Sequence, residues 1–209
     1  LELALTYTVH EIFLTNQGEG VNLGRTCVFV RFAGCNLWSG REQDRASAVC
    51  QFCDTEFVGG TKYRSPEALA EAIAAHWPAG RGGRRAVLTG GEPLMQVDAP
   101  LLTALRAQGF WIAVETNGTQ PLPGLLDWVC VSPKAGAPVV LTGADELKLV
   151  FPQPGAEPEI FAQFPAGERW LSPMDGPAIT ANTAAAAAFC AANPDWRLNI
   201  QAHKVWGIP

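Results

Sequence analysis

The sequence predicts an α/β protein built on a mainly parallel sheet. Short runs of β-branched and aromatic residues alternate with alanine-rich amphipathic runs, and nearly every apolar run ends in a polar or glycine-bearing turn. In sheets of this kind the chemistry gathers at the carboxyl ends of the strands, whether the sheet is open or curled into a barrel. A length of 209 residues suits a single domain spanning 1–209, and no internal repeat or linker interrupts it.

The elements follow in order. Thr26 to Phe32 (TCVFVRF) reads as a buried strand that feeds a loop at Ala33-Gly34. Ser65-Pro66-Glu67 opens a helix running to Trp77, with Ser65 placed to cap free amides and Pro66 suited to the first turn. Arg85 to Leu88 is a strand entering the turn Thr89-Gly90-Gly91, and Asp98 begins a second helix that closes at Gly109. Phe110 to Val114, Trp128 to Val131, Leu147 to Phe151 and Trp170 to Leu171 are further strands. Thr183 to Ala192 forms a last helix, stopped at Asn193-Pro194, and Leu198 to Gln201 forms a final strand. Helices are fewer than strands, so some crossovers must be loops or single turns.

Composition excludes several classes. Hydrophobic residues make up 48% and charged ones 17%, without an apolar run long enough for a membrane span. A formal net charge of -5 argues against a nucleic-acid wrapping face, and Arg41, Arg45, Arg81, Arg84 and Arg85 read as solvated loop charge. No secretion signal is visible, so a cytoplasmic location is expected, where thiols serve metals, redox chemistry or packing rather than disulfides. Cys27, Cys130 and Cys190 stand alone in apolar runs and read as small buried hydrophobes.

The other three cysteines sit in a loop. Fourteen residues separate Cys35 from Cys50, and two separate Cys50 from Cys53. No fourth cysteine is nearby. A 4Fe-4S cluster held by three thiolates keeps one iron open to a further ligand, whereas structural zinc wants four closed N or S ligands. His10, His76 and His203 are the only histidines, and none has ligand spacing to this loop. A zinc-stabilised binding module remains the alternative from another class.

FAGCNLW and CQFCDT, with EIFLTNQGEG, TGGEPL, ETNG, VSPK, SPMDGP and the HK near the final Pro, cover essentially the whole chain. This ordered set resembles the radical S-adenosylmethionine superfamily, and the long cysteine insertion is similar to its 7-carboxy-7-deazaguanine synthase family rather than to glycyl-radical activating enzymes. The resemblance implies an incomplete (β/α) barrel of the radical SAM type, with shortened helices and an extended cluster-binding loop. It implies a Mg2+-dependent carbon-nitrogen lyase of queuosine and 7-deazapurine biosynthesis, acting on 6-carboxy-5,6,7,8-tetrahydropterin. The implied partners are that small molecule and an electron donor such as flavodoxin or ferredoxin, in a homodimer.

Residue roles carry over by motif. The resemblance assigns the cluster to Cys35, Cys50 and Cys53, and magnesium to Thr55, a hard oxygen donor. S-adenosylmethionine falls to Phe52, Asp54, Gly91, Glu92, Glu115, Ser132, Pro133, Lys134, Ser172, Pro173, Met174 and Asp175. In the turn Gly90-Gly91-Glu92, glycines permit close backbone approach and the carboxylate can accept from the methionine ammonium. Substrate falls to Asn16, Gln17, Gly18, Arg31, Thr89 and the carboxylate of Pro209, with Arg31 suited to a bidentate grip on a carboxylate.

Overall fold

The computed structural model describes residues 6–209, so the first five residues of the expected 1–209 domain lie outside it. Its nine strands are β1 (Tyr7–Asn16), β2 (Thr26–Phe32), β3 (Thr61–Tyr63), β4 (Arg85–Gly90), β5 (Trp111–Thr116), β6 (Trp128–Val131), β7 (Ala144–Phe151), β8 (Ala166–Pro173) and β9 (Arg197–Leu198). They form one sheet in the order β3-β1-β2-β4-β5-β6-β7-β8-β9. From β2 to β9 every pairing is parallel, while β1 runs antiparallel to both β2 and β3.

The sheet is not closed, because β3 and β9 do not pair. Side-chain and backbone bonds bridge across it instead. The β1–β2 loop gives Gly20 N to Asn199 Oδ1 (2.9 Å) and receives Ala202 N at Gly18 O (2.9 Å), so the sheet curls until its two sides meet. This is an incomplete α/β barrel, as expected.

Helices α1 (Pro66–Ala75), α2 (Ala99–Ala107) and α3 (Ile179–Ala192) cover its outer face, and a short α4 (Ala202–Trp206) follows β9. Leu69 and Ile73 of α1 and Leu101 and Leu105 of α2 are fully buried against Val28, Val30, Leu88 and Ile112. Each such side chain contributes about 1.5–3 kcal/mol by leaving water. A second outer cluster packs α3 onto Leu147, Leu149 and Leu171. Between β5 and β6, and between β6 and β7, the crossovers contain no helix, as the shortage of helical patterns requires.

Cys27, Val87 and Ala113 form a third cluster with Phe29, Trp111 and Trp128. These residues alternate with the outer-face set along β2, β4, β5 and β6, so they occupy the concave side of the sheet. Cys27 and Cys130 are buried as expected, and Cys190 is partly buried on α3.

Several boundaries differ from expectation for identifiable reasons. β1 is absent from the strand reading because His10, Glu11, Thr15 and Asn16 dilute its apolar pattern, and pairing with β2 holds it in place. β3 is three largely exposed residues whose strand pairing is with β1. α3 begins at Ile179 rather than Thr183, where Asn182 Nδ2 donates to Met174 O (2.8 Å). β9 ends at Leu198 because Asn199 turns its side chain to Gly20 N and Ser172 Oγ instead of continuing as strand to Gln201.

Both expected helix starts are built by their caps. Ser65 Oγ accepts from Ala68 N (3.1 Å), and Asp98 Oδ1 accepts from Leu101 N (3.0 Å) and from the Tyr7 hydroxyl (2.7 Å). Asp98 thus fastens β1 to α2. Asp98→Ala is expected to destabilise the apo-protein by about 1–3 kcal/mol, combining a lost cap with an orphaned tyrosine hydroxyl. Urea unfolding followed by circular dichroism measures it, and an unchanged midpoint would show that the cap contributes nothing.

Candidate active site

A cleft opens at the carboxyl ends of the parallel strands. Its walls include Cys35, Cys50, Phe52, Cys53, Asp54 and Thr55 from the cysteine loop, and Thr89, Gly90, Gly91, Glu115, Ser132, Lys134, Ser172, Pro173 and Asp175 from the strand ends. A second, more polar chamber adjoins it, lined by Asn16, Gln17, Gly18, Arg31 and Pro209. Thr55, Asp54, Thr89 and Glu115 line both and form the boundary. Residues spread over the whole sequence therefore meet in two adjoining spaces.

Three assigned residues line neither space. Glu92 is fully buried behind its turn, where its carboxylate accepts from Leu94 N (3.0 Å), Thr116 Oγ1 (2.7 Å) and Asn117 N (2.8 Å). Burial pushes its carboxyl above the usual range against those donors. Pro133 and Met174 stand behind Ser132 and Pro173, with Met174 N donating to Phe151 O (2.7 Å).

The cysteine thiols are all free. A hydrogen bond with Cys50 holds the Cys53 thiol down to about 6 against burial, assisted by the Thr55 amide and hydroxyl. The same bond and burial push Cys50 up. Cys35 is also pushed up by burial, and Leu37 N points at its sulfur from 3.4 Å. Gly91 packs tightly on this loop, since a Cβ there would lie 2.0 Å from Gly34 O and 2.9 Å from Cys35 Cβ. Among the described residues, no three His, Cys, Asp or Glu side chains converge as a ready site for a single metal ion. Three free thiols at one mouth, with no fourth thiol in their loop, fit a multi-iron cluster with an open iron.

On the cleft floor lies a buried ionic network that the sequence reading missed. Lys148 Nζ pairs with Glu19 Oε2 at 2.5 Å and with Glu115 Oε2 at 3.4 Å. Gln17 Nε2 donates to Glu115 Oε1 (2.8 Å), and Glu146 accepts from Val21 N (3.3 Å) and Trp128 Nε1 (3.2 Å). Burial alone would lower Lys148, but Glu115 and Glu19 raise it well above the usual lysine value. Burial would likewise raise Glu19, yet Lys148 draws it below the usual range. Gly20 makes the approach possible, because a Cβ there would sit 2.0 Å from a Glu146 oxygen. The available signal was the alternation of Glu146 and Lys148 within an apolar strand, which places both charges on the concave face.

Three residues to which the sequence reading gave no site role stand beside residues it did assign. Gln201, His203 and Lys204 line the second chamber, and Lys204 Nζ bonds both Asp54 Oδ2 (2.8 Å) and Asp175. Lys134 Nζ donates to Ser132 O (2.6 Å) and Oγ (2.7 Å), and burial lowers its pKa. Arg31 pairs with Glu11 (2.6 Å) and sits 6.0 Å from the centre of the Phe13 ring.

This geometry agrees with the comparisons. The model of the radical SAM superfamily matches residues 44–147, which defines the class as a radical SAM enzyme. A 7-carboxy-7-deazaguanine synthase of Caulobacter vibrioides is 57% identical over 98% of this chain and 100% of its own length. The Bordetella pertussis enzyme of that name is 55% identical with the same coverage. The chain belongs to the 7-carboxy-7-deazaguanine synthase family. Among solved structures, QueE from Escherichia coli superposes with a TM-score of 0.70 at 27% identity, covering 95% of each chain. Among the described residues, no helix is long and apolar enough to cross a membrane.

Removing the cation from the floor network should be costly. In Lys148→Met, Glu19 and Glu115 lose their partner, and breaking a buried pair costs about 3–5 kcal/mol. Glu19 has a lowered folded pKa, so its contribution is present above the unfolded carboxylate pKa and is lost as pH falls through the folded value. Denaturant unfolding of wild type and variant should therefore differ most near neutral pH and converge on acidification. A difference independent of pH would remove Glu19 from the network.

Proposed function

We propose that residues 1–209 form a single radical SAM domain that converts 6-carboxy-5,6,7,8-tetrahydropterin to 7-carboxy-7-deazaguanine by ring contraction with loss of ammonia. This is a carbon-nitrogen lyase step of queuosine and 7-deazapurine biosynthesis. The observation that supports it best is the pair of joined chambers, one ringed by three cysteines and the other lined by polar groups and an arginine. The family names of the full-length relatives point the same way.

When bound, the cluster and S-adenosylmethionine supply one-electron cleavage of a carbon-sulfur bond. The remaining work is the protein's. Cys35, Cys50 and Cys53 would hold the cluster. Gly90 and Gly91 bring backbone close to the cofactor, and Glu92 braces Thr116 and Asn117 from behind rather than presenting its carboxylate to the cleft. Phe52, Asp54, Glu115, Ser132, Lys134, Ser172, Pro173 and Asp175 enclose the cofactor, with Pro133 and Met174 supporting their neighbours.

In the second chamber Arg31 grips the substrate carboxylate with two parallel hydrogen bonds, in exchange for its pairing with Glu11. Asn16, Gln17, Gly18, Thr89 and Pro209 complete the enclosure. Thr55 stands on the boundary, where its hydroxyl would be a ligand for Mg2+. A flavodoxin or ferredoxin serves as electron donor, and the working form is a homodimer.

Anaerobic incubation of reconstituted protein with the carboxytetrahydropterin, S-adenosylmethionine, Mg2+ and a strong reductant is the deciding experiment. Formation of the deazaguanine, followed by absorbance and mass, is expected; cofactor cleavage without that product would reject the substrate. Thr55→Ala should bind iron and sulfide like wild type yet need about tenfold more Mg2+ for half-maximal rate, the effect of one lost ligand at about 1.4 kcal/mol. An unaltered magnesium titration would exclude Thr55 as ligand.

A further inference from the structure

The stretch between Cys35 and Cys50 has little core of its own, with only Leu37 and Trp38 buried. Its one regular piece is a 3-10 segment, Glu42–Ser47, without a single buried residue. Two arms of the loop are joined at Leu37 O, which accepts from Val49 N (3.1 Å) and Cys50 N (3.2 Å). Something else must hold the turn that carries Cys50 and Cys53.

Arg45 is placed to do so. Its Nη1 donates to Gln51 O and to Cys53 O, both at 3.0 Å. Its Nε meets both oxygens of Glu42 at 2.9 and 2.8 Å, and the guanidinium lies 4.1 Å from the centre of the Trp38 ring. Trp38 is itself fixed by its indole N–H on Arg41 O (3.2 Å) and by an edge contact with Phe57 at 5.6 Å. The sequence reading took Arg45 for solvated charge; its side chain is only 28% exposed, and its Nη1 turns to the backbone of the cysteine turn.

Resting on the reading that these three cysteines hold the cluster, we infer that Arg45 is a positioning residue: it clamps the Cys50–Cys53 turn to the Trp38 arm and sets a permanent positive charge beside the cluster that raises its reduction potential. A planar fork can serve two carbonyls, a carboxylate and an aromatic face together, whereas a lysine ammonium cannot. Reduction adds a negative charge to the cluster, and a nearby cation favours that state. Glu42 offsets this only in part, because its side chain is 78% exposed and well hydrated.

Arg45→Lys and Arg45→Gln in the full chain test both halves. In metal-free protein, alkylation of the buried Cys50 should accelerate about tenfold in either variant, the equivalent of one hydrogen bond from a charged donor. After anaerobic reconstitution, both variants should lose iron to a chelator faster than wild type. In redox titrations monitored by electron paramagnetic resonance, the midpoint should move negative in Arg45→Gln and less so in Arg45→Lys, which keeps the charge. Wild-type alkylation rates in both variants would overturn the clamp, and equal midpoints would overturn the charge effect. If Arg45→Gln takes up no cluster, the midpoint of the neutral, similarly long Arg45→Met decides the charge effect, with a wild-type value overturning it, and the alkylation rates decide the clamp. Failure of wild type to bind four irons would instead sink the cluster assignment, while the alkylation comparison would still read the clamp.

Discussion

A sheet that curls without closing leaves a seam, and the buried Lys148 is what the seam is organised around. Its ammonium gathers Glu19 from the β1–β2 loop and Glu115 from β5, with Glu146 two residues away on its own strand. Three carboxylates on the concave face would repel one another in a low-dielectric setting without that cation. With it, the β1–β2 loop is drawn into the barrel, and Gly18 and Gly20 hydrogen-bond the segment after β9. The floor of the cleft, the position of Glu115 and the joining of the β1–β2 loop to the segment after β9 follow from one charge placement.

Above that floor, the parallel strands fix the direction of every functional turn. Because β2, β4, β5, β6, β7 and β8 run the same way, their carboxyl ends deliver the cysteine loop, the Gly90-Gly91 turn, Glu115, Ser132 and Ser172 to a common rim. Strand ends set positions in this way, but they do not set the shape of a loop with little core of its own. The cysteine loop takes its shape from polar clasps: Leu37 O, the Arg45 fork and the Trp38 contacts on its own side, and the Lys204 bridge from Asp54 to Asp175 across the mouth. That bridge also makes α4 a wall of the second chamber. Rim and wall together give two adjoining spaces with Thr55, Thr89 and Glu115 between them, a geometry suited to holding a cofactor and a small acidic substrate side by side.

The sequence by itself determined the α/β class, the parallel strands from β2 to β8, the capped starts of α1 and α2, and the cysteine set with its missing fourth ligand. Those features are local: an apolar run of fixed length, a Ser or Asp before a helix, or a spacing of thiols carries its meaning within a few residues. The residues proposed for cofactor and substrate came from the resemblance of their motifs, and most of them line the two chambers. Only the tertiary structure decided the pairing of β1 and β3, the end of β9, the retreat of Glu92 behind its turn, the Lys148 network, and the conversion of Arg45 from an apparent surface charge to an inward clamp. Each of these depends on which distant group meets a polar side chain, and desolvation makes that partner, rather than the residue type, the deciding term.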